Sequence, residues 1–214
     1  MSALSSTFLD LRRRRGAFFR RRARTGATRP FPLILAAALR YIVEGGHTLA
    51  GSIHPSGNKN AALPIIAAAL LTDQPVTLEN VPHIRDVETL VELIRSLGVT
   101  ASWSASNTLA IEAKVVQPSA LDPELCARIR ASILLAGPLL ARCGAVTLPP
   151  PGGDVIGRRR VDTHFLALEQ LGALVELGEQ YALSTRGLRG ADVFLDEPSV
   201  TANENAPMAA SLAT

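Results

Sequence analysis

From residue 58 onward the apolar positions fall into two alternating periods. Ala61–Leu71 is almost continuously apolar and predicts a helix, over about residues 58 to 71, that must be covered on most of its surface. Val76-Thr77-Leu78 follows as a short β-rich run, predicting a strand over 75–79. Asp86 to Leu97 has the pattern of an amphipathic helix, closed by Gly98 at the position that favours a left-handed turn. Val99 to Trp103 and Thr108 to Glu112 then read as two short strands. The same order recurs: an apolar helix over about 124 to 142, a strand over 145–148, an amphipathic helix from Val161 to Leu171 ending at Gly172, and strands at Ala173–Leu177 and Tyr181–Thr185.

The recurrence is an internal repeat. Val76-Thr77-Leu78 returns as Val146-Thr147-Leu148 at an offset of 70, and Asn60-Ala61 falls on Arg130-Ala131. Downstream, Ser96-Leu97-Gly98 falls on Gln170-Leu171-Gly172 and Leu109 on Leu183 at an offset of 74, so four residues are inserted between Leu148 and Gln170. Each copy is an α/β unit of about 70 residues with its helices expected inside and its sheets outside. A third copy starts at Pro198-Ser199, where Glu204-Asn205-Ala206 answers Lys59-Asn60-Ala61, and the sequence given ends at Thr214 inside the apolar run from Met208. Pro207 is expected to interrupt that third helix. The expected organisation is an Arg-rich leader over 1–40 and an incomplete domain over 41–214, with units at about 41–115, 116–190 and 191–214. Such a domain, stopping inside an element, is expected to continue in the natural product or to be unstable alone.

Charge divides at the same place. The chain carries +3 overall, yet residues 1–40 hold ten Arg against Asp10, a local +9. The remaining 174 residues hold 12 basic and 18 acidic side chains, or −6. The basic character therefore belongs to the leader and the body is acidic. An arm for nucleic acid, an organelle leader and a solvated extension all fit such a stretch; the last is favoured, because only Phe18 and Phe19 interleave the arginines. Leu33–Leu39 is too short to span a membrane. Cys126 and Cys143 have no metal-ligand or disulfide-framework spacing and are expected to be reduced, which suits the cytoplasm.

Three loops carry candidate chemistry. Ser56-Gly57-Asn58-Lys59-Asn60 precedes an apolar helix, so Lys59 is placed at a helix start that favours an anion, and it is one of only two lysines. A solvated Lys beside a capping residue is the plainer reading. Arg130 precedes the most apolar part of the second unit's first helix, and spacing leaves it equally a snorkelling side chain or one aimed at an anion. Gly152-Gly153-Asp154-Val155-Ile156-Gly157-Arg158-Arg159-Arg160 joins backbone freedom, three guanidinium forks and one carboxylate, Asp154, which fits either a turn residue paired with those arginines or an acid/base group beside a doubly anionic substrate. His164 begins the helix after it, where a capping or packing role is the plainer reading. No phosphate-binding P-loop, dinucleotide fingerprint or zinc spacing occurs, and neither a metal nor a cofactor is expected.

Ser56–Pro64, Arg130-Ala131-Ser132-Ile133, Pro151–Arg159 and Val161-Asp162-Thr163-His164 together resemble the enolpyruvyl transferases, and among them the UDP-N-acetylglucosamine 1-carboxyvinyltransferases. The resemblance runs from about Tyr41 to the C-terminus. It implies two domains, each an inside-out α/β barrel of three repeated units, with the active site between them. It also implies transfer of the enolpyruvyl group of phosphoenolpyruvate to the 3′-hydroxyl of UDP-N-acetylglucosamine, the first committed step of peptidoglycan synthesis, in the cytoplasm.

In that resemblance Lys59 binds phosphoenolpyruvate and supports proton transfer, Arg130 and Arg159 hold its phosphate, and Asn60 contacts the sugar. Asp154 stands in the catalytic loop. His164, Ser199, Val200 and Thr201 fall at substrate-binding positions, the last three beside the uridine diphosphate. Two departures stand out. Asp154 occupies a position that is Cys in many members, so covalent inactivation by thiol-alkylating epoxides is not expected; an adduct on Asp154 would count against this. Arg160 replaces an expected Pro. The second domain that the resemblance calls for is absent from the sequence given, and little turnover is expected without it. The alternatives are the related transferase acting on shikimate 3-phosphate, and a non-catalytic chain whose basic arm binds nucleic acid.

Overall fold

Two three-stranded antiparallel sheets carry the repeat. The computed structural model describes residues 42–118, 121–153 and 160–214. The chain divides into two units, Met1–Gly51 and Ser52–Thr214. In the first, the described residues 42–51 are exposed and form no helix or strand.

In the second unit, α1 (Lys59–Ala68) ends in a 3-10 turn, Ala69–Leu71, and leads to β1 (Val76–Leu78). Next come α2 (Arg85–Ser96), β2 (Thr100–Ala105) and β3 (Thr108–Glu112), giving a sheet of order β1-β3-β2. The second copy contains α3 (Pro123–Arg128), a 3-10 segment Arg130–Leu135, α4 (Ala136–Cys143), β4 (Ala145–Leu148), α5 (Asp162–Gln170), β5 (Leu174–Leu177) and β6 (Tyr181–Ser184), with sheet order β4-β6-β5. Finally, α6 (Val200–Ala210) packs on α4 and α5.

The helices occupy the centre, as their composition requires. Ile66 of α1, Leu70 in the 3-10 turn after it, and Leu90, Leu93 and Ile94 on one face of α2 are fully buried among Ile133, Leu134 and Leu140 of the second copy. Each such side chain contributes ~1.5–3 kcal/mol of burial. Gly98 and Gly172 close α2 and α5 at φ +87° and +94°, a region that side chains bearing Cβ seldom enter. Arg142 in the last turn of α4 joins the copies, donating to the carbonyls of Leu70 (2.7 Å) and Thr72 (2.9 Å) at the end of the first copy's apolar helix.

Three expectations need correction. The helix expected over 124–142 is broken at Ile129, which is extended (φ −135°, ψ 139°). Gly152 and Gly153 explain the break, because their N–H groups donate to the carbonyls of Cys126 (3.0 Å) and Ala127 (3.1 Å), taking acceptors that a continuous helix would use. A Cβ on Gly152 would stand 1.8 Å from the Ala127 oxygen, so only glycine fits there.

Leu109 does not correspond to Leu183. Val76 pairs with Ile111 and Val146 with Leu183, so Leu183 answers Ile111 at an offset of 72 and Leu109 answers Tyr181. The first hairpin is two residues longer, with an irregularity between Trp103 and Ala105. Pro207 does not interrupt the third helix, because α6 runs through it and closes with the Ser211 N–H on the Pro207 carbonyl at 2.9 Å.

Candidate functional site

Three helical starts meet at one cleft. α1 brings Lys59 and Asn60, the segment restarting after Ile129 brings Arg130, and the first turn of α6 brings Val200 and Thr201. The cleft measures about 330 Å³, and Asp86, Glu204, Leu63, Pro64, Ala131 and Leu134 complete its lining. The break at Ile129 gives Arg130 this position, at the head of a segment instead of the middle of a helix. Arg130 is therefore placed in the wall of the cleft. A second recess of about 330 Å³ adjoins the first and shares Arg130, Val200 and Thr201; Arg160, Glu197, Pro198 and Ser199 line the rest.

Charge in the cleft is already organised. Lys59 Nζ lies 2.9 Å from Asp86 Oδ2, with both side chains partly exposed. The start of α1 is capped as the plainer reading expected, with Asn58 Oδ1 accepting from the N–H groups of Asn60 (2.7 Å) and Ala61 (3.2 Å). Those donors are satisfied by the cap, and Lys59 is left as this segment's charge for an anion.

Arg130 Nη2 donates to the Arg160 carbonyl at 2.5 Å. The Arg160 guanidinium lies against Asp162 (2.8 Å), Asp196 (2.5 Å) and Glu197 (3.4 Å), and Thr163 Oγ1 donates to Asp196 at 3.0 Å. Arg160 holds the carboxyls of Asp162 and Asp196 below the ordinary carboxylate range. Arg160 thus ties the start of α5 to the segment leading into α6, where a proline could make no such bonds.

His164 does not line the cleft; it is completely buried behind it. Its Nε2 is 3.0 Å from Thr201 Oγ1 and its Nδ1 is 2.9 Å from Asn205 Nδ2. Burial, with Arg130 nearby as the lesser cause, pushes its pKa down to about 4. Asn205 is also completely buried, and its side chain accepts from the Gly137 N–H (2.8 Å) and donates to the Ile133 carbonyl (2.8 Å). Burial raises the pKa of Glu204, on the cleft side of the same helix.

Of the expected site residues, Lys59, Asn60, Arg130, Val200 and Thr201 share the cleft, and Ser199 lines the adjoining recess. Asp154, Arg158 and Arg159 lie outside the described residues. Asp86, Glu204 and Asn205 were not expected at the site. Glu204-Asn205 had a signal in the repeat, as counterparts of Lys59-Asn60, whereas Asp86 reads in sequence as an ordinary acidic helix start. Both thiols are pushed up by burial, Cys126 to about 11. Among the described residues no group of three His, Cys, Asp or Glu could hold a metal ion, and no helix is long and apolar enough to cross a membrane.

The chain is similar to known proteins over most of its length. The UDP-N-acetylglucosamine 1-carboxyvinyltransferase of Bradyrhizobium diazoefficiens is 73% identical over 174 residues, covering 81% of this chain and 40% of its own length. Its namesake in Treponema denticola is 53% identical over 173 residues, covering 81% and 41%. The chain thus spans about 40% of the length of these curated relatives.

Among solved structures, the enolpyruvyl transferase NikO from Streptomyces tendae superposes with a TM-score of 0.64 at 23% identity, over 79% of this chain and 40% of that one. An EPSP synthase from Acinetobacter baumannii gives 0.61 at 18%, over 76% and 38%. Both show a shared fold. The model of one family matches residues 43–214, and with the two sheets and the cleft in place, the chain belongs to the EPSP synthase (3-phosphoshikimate 1-carboxyvinyltransferase) family.

Proposed function

We propose that this chain supplies one wall of an enolpyruvyl transferase site, acting on phosphoenolpyruvate and UDP-N-acetylglucosamine in peptidoglycan synthesis in the cytoplasm. The observation that carries the reading is the convergence of Lys59, Asn60, Arg130 and Thr201 on one cleft, at the heads of three separate segments. In the reaction the sugar 3′-hydroxyl oxygen adds to C2 of phosphoenolpyruvate while a proton adds to C3. Loss of a proton from C3 then expels phosphate from C2 and restores the double bond, so the acceptor carries the enolpyruvyl ether.

Both substrates are anions, and fixed cations are the groups that stabilise charge shifting between them. Lys59 meets phosphoenolpyruvate and takes part in proton transfer. Arg130 and Arg159 hold the phosphate, Asn60 the sugar, and Ser199–Thr201 the uridine diphosphate; Asp154 serves in the catalytic loop. Because Lys59 is paired with Asp86, an incoming phosphate must share or displace that carboxylate. The proposal includes an inside-out barrel built of such units, the third represented only in part within 41–214, and a second domain closing the site, since an open wall leaves the substrates in water.

Acceptor identity separates this reading from its nearest rival. The relatives at 73% and 53% identity support the amino-sugar nucleotide over shikimate 3-phosphate. The test titrates the chain with each acceptor and assays phosphate release with phosphoenolpyruvate present. Binding of UDP-N-acetylglucosamine, none of shikimate 3-phosphate and little phosphate release are expected. Preference for shikimate 3-phosphate would overturn the acceptor, and robust phosphate release would overturn the need for a second domain.

A further inference from the structure

Behind the cleft lies a line of buried polar groups with only one consistent arrangement of protons. The Asn205 amide is oriented by two backbone groups that cannot change roles: its oxygen accepts from the Gly137 N–H, and its nitrogen donates to the Ile133 carbonyl. The group facing His164 Nδ1 is therefore NH₂, a donor, at 2.9 Å. Nδ1 must present its lone pair, which leaves the proton of a neutral imidazole on Nε2. Nε2 then donates to Thr201 Oγ1 at 3.0 Å. With a lone pair occupied from behind, Thr201 directs its own proton elsewhere, and among the described residues it has no protein acceptor. Thr201 lines both recesses and is partly exposed, so that proton faces the cleft.

We infer that Asn205 and His164 are positioning residues that fix the Thr201 hydroxyl as a hydrogen-bond donor to a phosphate oxygen of the sugar nucleotide. The ligand half of this inference rests on the function proposed above; the relay itself rests only on distances in the protein. Neither Asn205 nor His164 touches ligand. Both are completely buried, and their roles are carried by the Oγ1 of Thr201. A hydroxyl free to rotate would accept as readily as donate, whereas one engaged from behind offers its proton without reorienting, and preorganised donors favour anions. The pattern also explains why His164 adjoins a cleft bearing Lys59 and Arg130 without adding charge: it supplies direction.

The test has two independent arms. In the first, the 214-residue chain is labelled with ¹⁵N-histidine, and long-range ¹H–¹⁵N correlation reads the ring assigned by its loss in His164→Gln. The Nε2–H tautomer is expected without ligand, and an Nδ1–H tautomer or a freely exchanging ring would overturn the relay.

In the second arm, UDP-N-acetylglucosamine is titrated into Thr201→Val and Thr201→Ser, both substituted where the side chain is accessible. Loss of the hydroxyl is expected to weaken binding by about tenfold or more, as for a hydrogen bond to a charged group. Serine should bind within about twofold of the unsubstituted chain, a rescue that mere packing would not give. Equal binding by the valine variant would overturn the donor role. If the unsubstituted chain bound no sugar nucleotide, the proposed function and Thr201's ligand would both fall, while the tautomer would still decide the relay. Asn205→Asp, if folded, should move the proton to Nδ1 and weaken binding with Thr201 intact.

Discussion

Replacing Asn205 by leucine removes a buried amide from between two groups of another helix. Gly137 N–H and Ile133 C=O stand four residues apart, so the Asn205 side chain is wedged into the place of an ordinary helical hydrogen bond at the junction of the 3-10 segment with α4. Once the wedge is gone these two groups can pair with each other, and Ile133 also keeps the Ala136 N–H. What cannot be satisfied is His164 Nδ1, completely buried and deprived of the one donor it has among the described residues. One orphaned buried acceptor costs ~1–3 kcal/mol, and closing the helix repositions α6, so Asn205→Leu should destabilise the chain by about 2–4 kcal/mol.

The assay is urea unfolding followed by fluorescence of Trp103, the single tryptophan. His164→Leu should cost a similar amount, but the double variant should cost less than the sum by about 1 kcal/mol or more, since the second change removes the orphan left by the first. A single-variant loss under ~0.5 kcal/mol, or strict additivity, would refute this account of the wedge.

Acid should expose the same histidine. Its pKa falls from an ordinary 6.5 to about 4 on folding, so between those values the unfolded chain binds more protons. Stability is then complete above about pH 6.5 and falls as pH drops toward 4, by roughly 3 kcal/mol, a slope that His164→Gln should remove; Glu204, raised by burial, opposes it near the lower end. An unchanged slope in the variant would contradict the assignment.

Gly152→Ala should destabilise by about 1–3 kcal/mol and disturb Arg130, because its Cβ would stand 1.8 Å from the Ala127 oxygen; urea unfolding that matches the unsubstituted chain would contradict this. Lys59→Met should weaken phosphoenolpyruvate binding by ~10-fold or more with little change in stability, read by calorimetry alongside unfolding.

Periodicity made much of the fold legible, because α2 presents one apolar face and both α2 and α5 close at a glycine with positive φ. The repeat placed Arg130 opposite Asn60, and both reach the same cleft. The break at Ile129 was not legible, since its cause is the backbone of Gly152 and Gly153, more than twenty residues away, and no local propensity encodes it. His164 illustrates a different limit. Motif order put it near substrate while its place at a helix start pointed to packing, and which reading holds is decided by contact with Asn205, 41 residues later. Asp86 was missed because its partnership with Lys59 joins two helices whose crossing the sequence does not state.

The central claim is that the cleft headed by α1, Arg130 and α6 binds the sugar nucleotide. It is tested most directly by recording ¹H–¹⁵N spectra of the 214-residue chain as UDP-N-acetylglucosamine is added. Shifts concentrated at Lys59, Asn60, Arg130 and Ser199–Thr201, with the two sheets unmoved, are predicted. Shifts centred elsewhere, or none at millimolar ligand, would contradict it.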